Sequence, residues 1–397
     1  MKSLETRIVE FNAHRQPSTL ALKYKLMARD EFSFFRATCH LFYEDMAPRI
    51  ELSQGPLIWA CGDAHLENFG SYRAANELVY FDINDFDEAV LTHAPMELVR
   101  FLCSIGMAAG LWEYSMMEAK DLMNLTLQSY ATLLGGGKAY AIQMETSPPL
   151  IVRFFEMAQR EKEKKMVSER MDSKHDKLKI IPGKTMPVAD ELRKVIVDSV
   201  NAFLKERFGY LEVKDVAFRI AGTGSLGVKR YALLTYDDRK EKYRLLDIKA
   251  SGPSSLIPFV TTRQPTWPTE AERIISIQSM MQYALPRFMG TPDIQGEHYV
   301  LKQLQPSSQK IDYRLCDKKL KNVETVMTVM AEALASAQLR SAYRKGSGSV
   351  EELQAFAADR SWQAALIRIA FDYAGVMKKY YMEYITLYKE HKMEITP

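Results

Sequence analysis

The sequence places a carboxylate and an amide five positions apart in the stretch Gly62-Asp63-Ala64-His65-Leu66-Glu67-Asn68-Phe69-Gly70. An apolar run at 57–60 precedes this stretch and predicts a short β-strand that ends in a glycine-bounded loop. Kinases use such a pair, because the carboxylate orients or deprotonates the acceptor hydroxyl group and the amide oxygen holds a metal ion. Asp63 and Asn68 are equally typical of a polar turn that caps nearby backbone groups, so the stretch alone leaves both interpretations open.

Another apolar run, at 78–81, predicts a second short β-strand. It leads into a second polar loop, in the stretch Phe81-Asp82-Ile83-Asn84-Asp85-Phe86-Asp87-Glu88. Its four carboxylates repel one another unless they are solvated, paired or bound to a metal ion. Magnesium prefers oxygen ligands and usually takes one or two carboxylates, with phosphates and water completing its shell. The alternative is an acidic surface turn, but the apolar residues within the stretch indicate partial burial. We therefore expect a metal ion to bind here, at the same end of the strands as the first loop.

A glycine-rich stretch, Gly222-Thr223-Gly224-Ser225-Leu226-Gly227-Val228, separates two predicted strands, of which the second spans 228–235. Glycines permit a tight hairpin whose backbone amides approach phosphate groups closely. The strand that follows is typical of a kinase, whereas a helix would indicate a dinucleotide-binding fold. An ordinary hairpin turn without a ligand also explains this stretch. Lys249 follows Gly227 by 22 residues and lies on a strand predicted at 243–250. From this strand it would face the same phosphates. The alternative is a surface lysine, which is the more common role of an isolated lysine.

The rest of the sequence predicts an α+β protein in which helices flank a small antiparallel sheet. Helical spacing of apolar residues dominates both ends of the chain, and adjacent strand signals occur together only in the middle. We accordingly expect three zones, at 1–140, 141–305 and 306–397. Predicted helices lie at 95–112, 189–208, 269–285, 323–341 and 362–388, and a last strand lies at 299–304.

Composition narrows the class of protein. The 397 residues are 47% apolar and 26% charged, which is typical of a globular protein long enough to form a two-lobed enzyme. The net charge of only +3 argues against a nucleic-acid partner. The polar start and the lack of a long apolar run predict neither a secretory signal nor a membrane span. The four cysteines lack paired spacing, so we expect free thiols and a cytoplasmic protein.

Two families resemble this sequence. The pattern Gly62-Asp63-x-His65-x-x-Asn68 resembles the catalytic loop of aminoglycoside phosphotransferases and related small-molecule kinases. More closely, residues 61–70 together with 84–88 resemble the bacterial uncharacterised family called DUF2252. The stretches 32–36 and 333–338 fit that family too, so the resemblance spans most of the chain. Gln338 is a departure, because the family leads us to expect histidine at this position.

The kinase resemblance implies a role for each polar loop. Asp63 is then the catalytic base, and Asn68 is a ligand of Mg²⁺. Asp85 is the principal carboxylate on the metal ion, with Asp82 and Asp87 as competitors for that role. The two loops together then form the catalytic and metal-binding half of the site.

The same resemblance implies that the glycine-rich stretch binds the cofactor, which is ATP or another nucleoside triphosphate. Gly222, Gly224, Ser225 and Gly227 then cover the phosphates, and Lys249 contacts the α and β phosphates. The strand at 299–304 is implied to be the hinge near the adenine. A kinase lysine also pairs with a carboxylate on the following helix, for which Glu270, Glu272 and the polar substitute Gln278 are the candidates.

The order of these parts along the chain differs from that of ordinary kinases, because here the catalytic and metal loops precede the glycine loop and the lysine. A circular permutation reconciles the two orders. The resemblance therefore implies a circularly permuted, two-lobed protein-kinase-like fold, with a small antiparallel sheet lobe and a larger helical lobe. The helix predicted at 323–341 then takes the place of the helix that leads into the catalytic loop.

The leading hypothesis is an enzyme, an ATP- and Mg²⁺-dependent phosphotransferase. The sequence does not identify its acceptor, and a small molecule and a protein both remain open. The same residues also allow a non-catalytic nucleotide-binding regulatory protein or a nucleotidyl transferase. A metal-dependent phosphoesterase is disfavoured, because such enzymes use several histidine ligands and the seven histidines here are scattered.

Overall fold

The computed structural model describes residues 2–160, 163–305, 311 and 313–393 of the chain. The helices that precede the main sheet are α1 (Leu4–Asn12), α2 (Pro17–Met27), α3 (Glu31–Ala37), α4 (Cys39–Met46), α5 (Ala94–Leu111), α6 (Met116–Gly136), α7 (Pro149–Arg160) and α8 (Glu163–Arg170). The later helices are α9 (Asp190–Arg207), α10 (Glu270–Met281), α11 (Leu320–Ser341), α12 (Val350–Ala358) and α13 (Trp362–Lys389).

Strands occur in two regions of the chain. Those of the first region are β1 (Leu57–Ala60), β2 (Phe69–Arg73), β3 (Val79–Ile83) and β4 (Val90–His93). Those of the second are β5 (Met171–Asp172), β6 (Lys177–Leu178), β7 (Thr185–Met186), β8 (Leu211–Arg219), β9 (Arg230–Asp237), β10 (Lys242–Ala250), β11 (Asp293–Ile294) and β12 (Glu297–Gln303). The chain is therefore an α+β protein, as predicted.

Local chemistry explains where several helices begin and end. Pro95 lies in the first turn of α5, where its missing N–H group leaves no hydrogen bond unmade. Ser115 begins α6 with a capping box, in which the Ser115 and Glu118 side chains each accept a hydrogen bond from the backbone N–H of the other residue. Gly137 ends the same helix in the left-handed conformation that favours glycine.

The main sheet is antiparallel and has the strand order β11-β12-β10-β9-β8-β7. Side chains alternate along β10, so Leu246 and Ile248 pack with α9 on the back of the sheet. Asp247 and Lys249 consequently point to the front, where Lys249 lies opposite Arg230 of β9. Charged side chains of the sheet thus face the polar loops of the helical part.

Two short antiparallel ribbons support the polar loops. The strands predicted around 57–60 and 78–81 are present but belong to different ribbons, since β1 pairs with β4 and β2 pairs with β3. Each polar loop crosses from one ribbon to the other. The loops consequently lie side by side, and the backbone N–H of Asn84 donates to the carbonyl oxygen of Asn68 at 2.9 Å.

The largest hydrophobic core is helical and includes buried side chains of α5, α6, α11 and α13. Among the described residues, α5 is the one helix long and apolar enough to cross a membrane, and 83% of it is buried within the protein. That burial is typical of a core helix. Ile274 and Ile277 of α10 also join this core, so α10 connects the sheet to the helical part.

Candidate active site

A cavity of about 990 Å³ lies between the front of the main sheet and the two polar loops. The helical part contributes Asp63, Asn68 and Asp85 to its wall. The sheet contributes Gly222, Gly224, Ser225, Gly227 and Lys249. Residues far apart in the sequence therefore line one cavity, whose volume is near the upper end of the range for small-molecule sites.

A buried arginine holds Asp63 in place. Arg100 donates to Asp63 Oδ1 from Nε at 3.0 Å and from Nη2 at 2.8 Å. Nη2 also donates to the carbonyl oxygen of Phe35 at 3.0 Å, and the Arg100 guanidinium carbon lies 3.5 Å from the centroid of the Phe35 ring. The other carboxylate oxygen, Asp63 Oδ2, lies 3.7 Å from His65 Nε2. Arg100 bonds to Oδ1 alone, and Asp63 lines the cavity.

The Asp63 loop passes so close to the acidic loop that position 62 requires glycine. Gly62 has φ +84°, and an added Cβ would lie 2.5 Å from the carbonyl carbon of Glu88. The preceding residue is also fixed, because the backbone N–H of Cys61 donates to Glu97 Oε1 at 2.6 Å. Gln338 Nε2 donates to Glu97 Oε2 at 2.9 Å. Gln338, the departure from the expected histidine, thus supports the loop as a buried hydrogen-bond donor.

Asn68 joins the two polar loops. Its Nδ2 donates to the carbonyl oxygens of Asp63 at 3.2 Å and Asp85 at 3.1 Å. Its Oδ1 accepts a hydrogen bond from the backbone N–H of Asp85 at 2.7 Å. An amide oxygen has two lone pairs, so Asn68 Oδ1 retains one acceptor site beside Asp85.

Asp85 and Asp82 have different surroundings. Asp85 is exposed in the cavity wall, and its Oδ1 accepts a hydrogen bond from the backbone N–H of Asp87 at 3.3 Å. Asp82 is buried on β3, where its carboxylate accepts from Ile83 N at 2.9 Å and from Arg340 Nη2 at 2.8 Å. The structure therefore does not bring the predicted metal ligand Asp82 to the cavity, because its side chain points from the strand toward α11.

Lys249 reaches the acidic loop directly. Its Nζ donates to Ser225 Oγ at 2.6 Å and forms an ion pair with Asp87. Burial lowers the pKa of Lys249, and the nearby Asp85 carboxylate opposes that change. Lys249 of the sheet thus meets the acidic loop in the wall of one cavity.

The helix after β10 does not supply the ion-pair partner of Lys249. The partner is Asp87, not the predicted Glu270, Glu272 or Gln278. Glu270 pairs with Arg273 of the same helix. Arg273 in turn donates to the carbonyl oxygen of Asp87 at 2.8 Å. The Arg273 side chain of helix α10 therefore supports the acidic loop by binding the backbone of that loop.

The glycine loop is anchored by the segment between α1 and α2. Arg15 Nη1 donates to the carbonyl oxygens of Gly224 at 2.9 Å and Leu226 at 2.6 Å. The backbone N–H of Gln16 donates to the carbonyl oxygen of Gly227 at 2.9 Å. Gly227 has φ +89°, and an added Cβ would lie 2.6 Å from the Cβ of Arg15. The conformation of the loop thus depends on a distant part of the sequence.

The strand predicted as the hinge, at 299–304, does not line the cavity. Asp247 of β10 lies beside it, opposite Lys302, and accepts from Arg230 Nη2 at 2.6 Å and Arg219 Nη1 at 2.9 Å. Burial alone raises the pKa of Asp247, but the two guanidinium groups more than reverse this, so its pKa lies well below the usual range. This ion-pair network occupies the front of the sheet beside β12.

The oxygen atoms near the acidic loop are of the kind that could contribute to a metal site completed by other ligands. Among the described residues, no group of three or more histidine, cysteine, aspartate or glutamate side chains is arranged to hold a metal by itself. Magnesium in kinase sites needs only one or two carboxylates, because phosphates and water complete its shell. Asp85, with the amide oxygen of Asn68 beside it, provides hard oxygen donors of this kind.

Sequence reasoning missed several residues that build the site. Arg100 was detectable, because a single arginine within an apolar helix indicates a buried partner. Glu88 accepts hydrogen bonds from Ser255 N at 2.6 Å and Ser255 Oγ at 2.9 Å, and burial raises its pKa. This contact ties the acidic loop to the segment after β10. No local pattern indicates it, because the two residues lie in separate parts of the chain.

Comparison with known proteins gives a family match. The family described as "Uncharacterized protein conserved in bacteria (DUF2252)" matches residues 15–387. This range includes all the cavity residues described above. No curated protein and no solved structure matches the chain.

Proposed function

The chain belongs to the DUF2252 family, and we propose that its cavity is the active site of an ATP- and Mg²⁺-dependent phosphotransferase. The observation that carries this proposal is the contact of Lys249 with Asp87 across a cavity that Asp63 and Asp85 also line. A lysine from a sheet, a glycine loop and carboxylates from two loops are the groups that position a triphosphate, its metal ion and an acceptor in kinases.

The arrangement of the main sheet supports a kinase-like fold. The glycine loop joins β8 to β9, Lys249 lies on the adjacent strand β10, and α10 separates that strand from β11 and β12. Protein kinases have a glycine loop followed by a lysine strand and then a helix in the same order. We therefore include a kinase-like sheet lobe in the proposal.

The surroundings of β1 support a circular permutation. The backbone N–H of Gly348 donates to the carbonyl oxygen of Leu57 at 2.7 Å. Trp59 Nε1 donates to the carbonyl oxygen of Arg344 at 2.8 Å. The segment that follows α11 therefore runs beside the strand that leads into the Asp63 loop. A kinase chain passes directly from such a helix into its catalytic loop, so the proposed permutation requires little rearrangement here.

In the proposed reaction, Asp63 Oδ2 accepts the proton of the acceptor hydroxyl group. The acceptor oxygen forms a bond to the terminal phosphorus, while the bond between that phosphorus and the bridging oxygen breaks. ADP leaves with the electron pair of the broken bond. Lys249 and a magnesium ion on Asp85 and Asn68 would neutralise the phosphate charges, so catalysis depends mainly on positioning and electrostatics.

Thermal unfolding of the full chain with ATP, with and without Mg²⁺, tests nucleotide binding. We expect a Mg²⁺-dependent rise in the unfolding midpoint, because a ligand of the folded state stabilises it by about 2.7 kcal/mol at roughly 100 times its Kd. Lys249→Ala should abolish the rise. Lys242→Ala, an exposed lysine on the same strand, should preserve it. No shift of the unmutated protein at saturating nucleotide would contradict the proposed function.

Asp63→Asn separates catalysis from binding. The variant should retain the ATP-dependent shift while ADP formation falls by about 10²–10⁴-fold, because the general base is lost. Unchanged ADP formation would contradict the role of Asp63. Separate measurement of ADP and pyrophosphate also tests the alternatives. Pyrophosphate release would indicate nucleotidyl transfer, and binding without either product would indicate a regulatory nucleotide-binding protein.

A further inference from the structure

The cavity has a second region, which we call the N-terminal subsite, formed by Phe11, Arg15, Lys23 and His40. Phe11, Arg15 and His40 line the cavity wall. The Phe11 and His40 rings are stacked, with 3.7 Å between centroids and 12° between planes. Lys23 lies beside the same aromatic ring, with Nζ 5.3 Å from the Phe11 centroid. None of these residues has a role in the phosphate contacts proposed above, except that Arg15 anchors the glycine loop.

His40 is a buried polar side chain without a hydrogen-bond partner. It is 5% exposed, and in the part of the chain that the structure describes neither ring nitrogen forms a hydrogen bond. Burial lowers the pKa of His40 well below its usual range, and Lys23 and Arg7 add to this. The ring is therefore neutral and offers one donor and one acceptor. Leaving buried hydrogen-bonding groups unpaired is unfavourable, so the arrangement indicates a missing partner.

Two basic side chains of the subsite also have no ion-pair partner in the part of the chain that the structure describes. Lys23 is fully buried and its Nζ donates to the neutral Asn12 Oδ1 at 2.7 Å. Arg15 donates to backbone carbonyl oxygens, and its Nε is buried without a hydrogen bond. Among the described residues, neither side chain forms an ion pair with a carboxylate. Burial lowers the pKa of Arg15 to about 10 and the pKa of Lys23 well below its usual range. A bound anion would oppose both changes by favouring the charged forms, so the subsite favours an anion.

Three glutamates that line the same cavity, Glu10, Glu44 and Glu88, are bound to other groups. Glu10 pairs with Lys2 at 2.6 Å, and Glu44 pairs with Arg7 at 2.8 Å. Glu88, whose charge acts on both Arg15 and Lys23, is held by the backbone and side chain of Ser255. Among the described residues, no carboxylate therefore contacts Arg15 or Lys23 directly.

We propose that the N-terminal subsite binds the acceptor of the phosphotransferase, and that this acceptor is a small molecule with both a hydroxyl group and an anionic group. This inference rests on the proposed function. His40 would hydrogen-bond the acceptor, and Arg15 and Lys23 would attract its anionic group. Since Arg15 also bonds to the carbonyl oxygens of Gly224 and Leu226, the bound acceptor would lie next to the glycine loop that covers the terminal phosphate.

The enclosure of the subsite favours a small molecule over a protein acceptor. His40 lies in the cavity wall and is almost completely buried. The turn between α1 and α2 is fixed to the glycine loop through Arg15 and Gln16. A folded protein cannot bring a side chain into such a region without displacing this turn. In the proposed transfer, the hydroxyl oxygen of the small molecule gains the phosphoryl group, the hydroxyl proton passes to Asp63, and ADP leaves.

The test measures thermal unfolding of the full-length protein saturated with a non-hydrolysable ATP analogue and Mg²⁺. Three probe pools are compared at equal ionic strength: sugar phosphates with hydroxycarboxylic acids, the parent neutral sugars and polyols, and amino sugars. We expect the anionic pool alone to raise the midpoint further. His40→Phe should weaken the apparent affinity for that pool by about tenfold or more, because it removes both ring nitrogens. The ATP-analogue shift should not change.

A matched control separates binding from folding. His40→Phe keeps an aromatic ring against Phe11, so the ligand-free midpoint should be unchanged or higher. Ser71→Ala removes another buried polar group that has no hydrogen-bond partner among the described residues and does not line the cavity. This variant should keep the response to the anionic pool.

Three results would overturn the acceptor inference: an equal response to the neutral or amino-sugar pool, no response to any pool, or an unchanged response in His40→Phe. If the ATP analogue itself gives no shift, the proposed function fails. The anionic pool is then tested on the nucleotide-free protein, where loss of its effect in His40→Phe would still identify an anion site.

Discussion

Replacing Gly62 by alanine tests whether the close approach of the two polar loops is required for folding and for nucleotide binding. The added Cβ would lie 2.5 Å from the carbonyl carbon of Glu88 and 2.9 Å from its Cβ. The first of these contacts is to the backbone, so rotation of a side chain cannot relieve it. The two loops must move apart, and this movement separates Asp63 from Asp85.

Two contributions determine the size of the effect. Gly62 has φ +84°, and a left-handed conformation costs alanine about 1–2 kcal/mol. Forcing an extra atom into a packed region costs about a further 1–3 kcal/mol. The free energy of unfolding should therefore fall by about 2–5 kcal/mol in total.

Urea unfolding of Gly62→Ala and Gly296→Ala measures these contributions separately. Gly296 has φ +81° and no atom within 4 Å of an added Cβ, so its substitution reports the conformational contribution alone. We expect Gly296→Ala to lose about 1–2 kcal/mol and to keep its stabilisation by ATP and Mg²⁺. Gly62→Ala should lose more stability and should lose the nucleotide response. Equal losses of stability in the two variants would refute the reasoning from loop contact.

Two further predictions concern buried ion pairs. Arg100→Met leaves Asp63 without its cation, so the free energy of unfolding in urea should fall by about 3–5 kcal/mol. The control, Arg160→Met, removes an exposed ion pair and should lower the free energy of unfolding by less than about 1 kcal/mol. Similar losses in the two variants would contradict the role of Arg100. The folded pKa of Asp247 is depressed, so the stability it contributes is present above its unfolded pKa of about 3.9 and is lost as the pH falls toward the folded value. Unfolding midpoints at about pH 7 and pH 3 should consequently differ more for the unmutated protein than for Asp247→Asn, and an equal difference would count against this interpretation.

Local pattern predicted the secondary structure of the sheet and of the long helices well. The strand expected at 243–250 is β10, Lys242–Ala250, and the helix expected at 323–341 is α11, Leu320–Ser341. These elements bury one face, and burial of one face imposes an apolar period that is visible in a single sequence. The predicted α+β class and the predicted membership of DUF2252 are also confirmed. Both predictions depend on patterns that are local along the chain.

Contacts between distant segments were not predictable in this way. The sequence offered Asp85 as the principal metal carboxylate, with Asp82 and Asp87 as competitors within one short stretch. Only the structure separates them, because β3 turns Asp82 toward Arg340, while Asp85 is exposed in the cavity and Asp87 meets Lys249. Which face a side chain takes depends on where its strand ends and on what packs beside it. The same limit explains why α10 was wrongly expected to supply the partner of Lys249.

The sequence by itself determined the chemical groups of this protein and the local elements that carry them: a carboxylate and amide loop, an acidic loop, a glycine loop and a lysine strand. The tertiary structure alone decided which of these groups face one another, and it added Arg15, His40 and Arg100 to the cavity or its supports. The physical reason is that the periodicity of burial is encoded within about ten residues of sequence. The pairing of buried charges and polar groups depends instead on distances between segments that meet only when the whole chain packs.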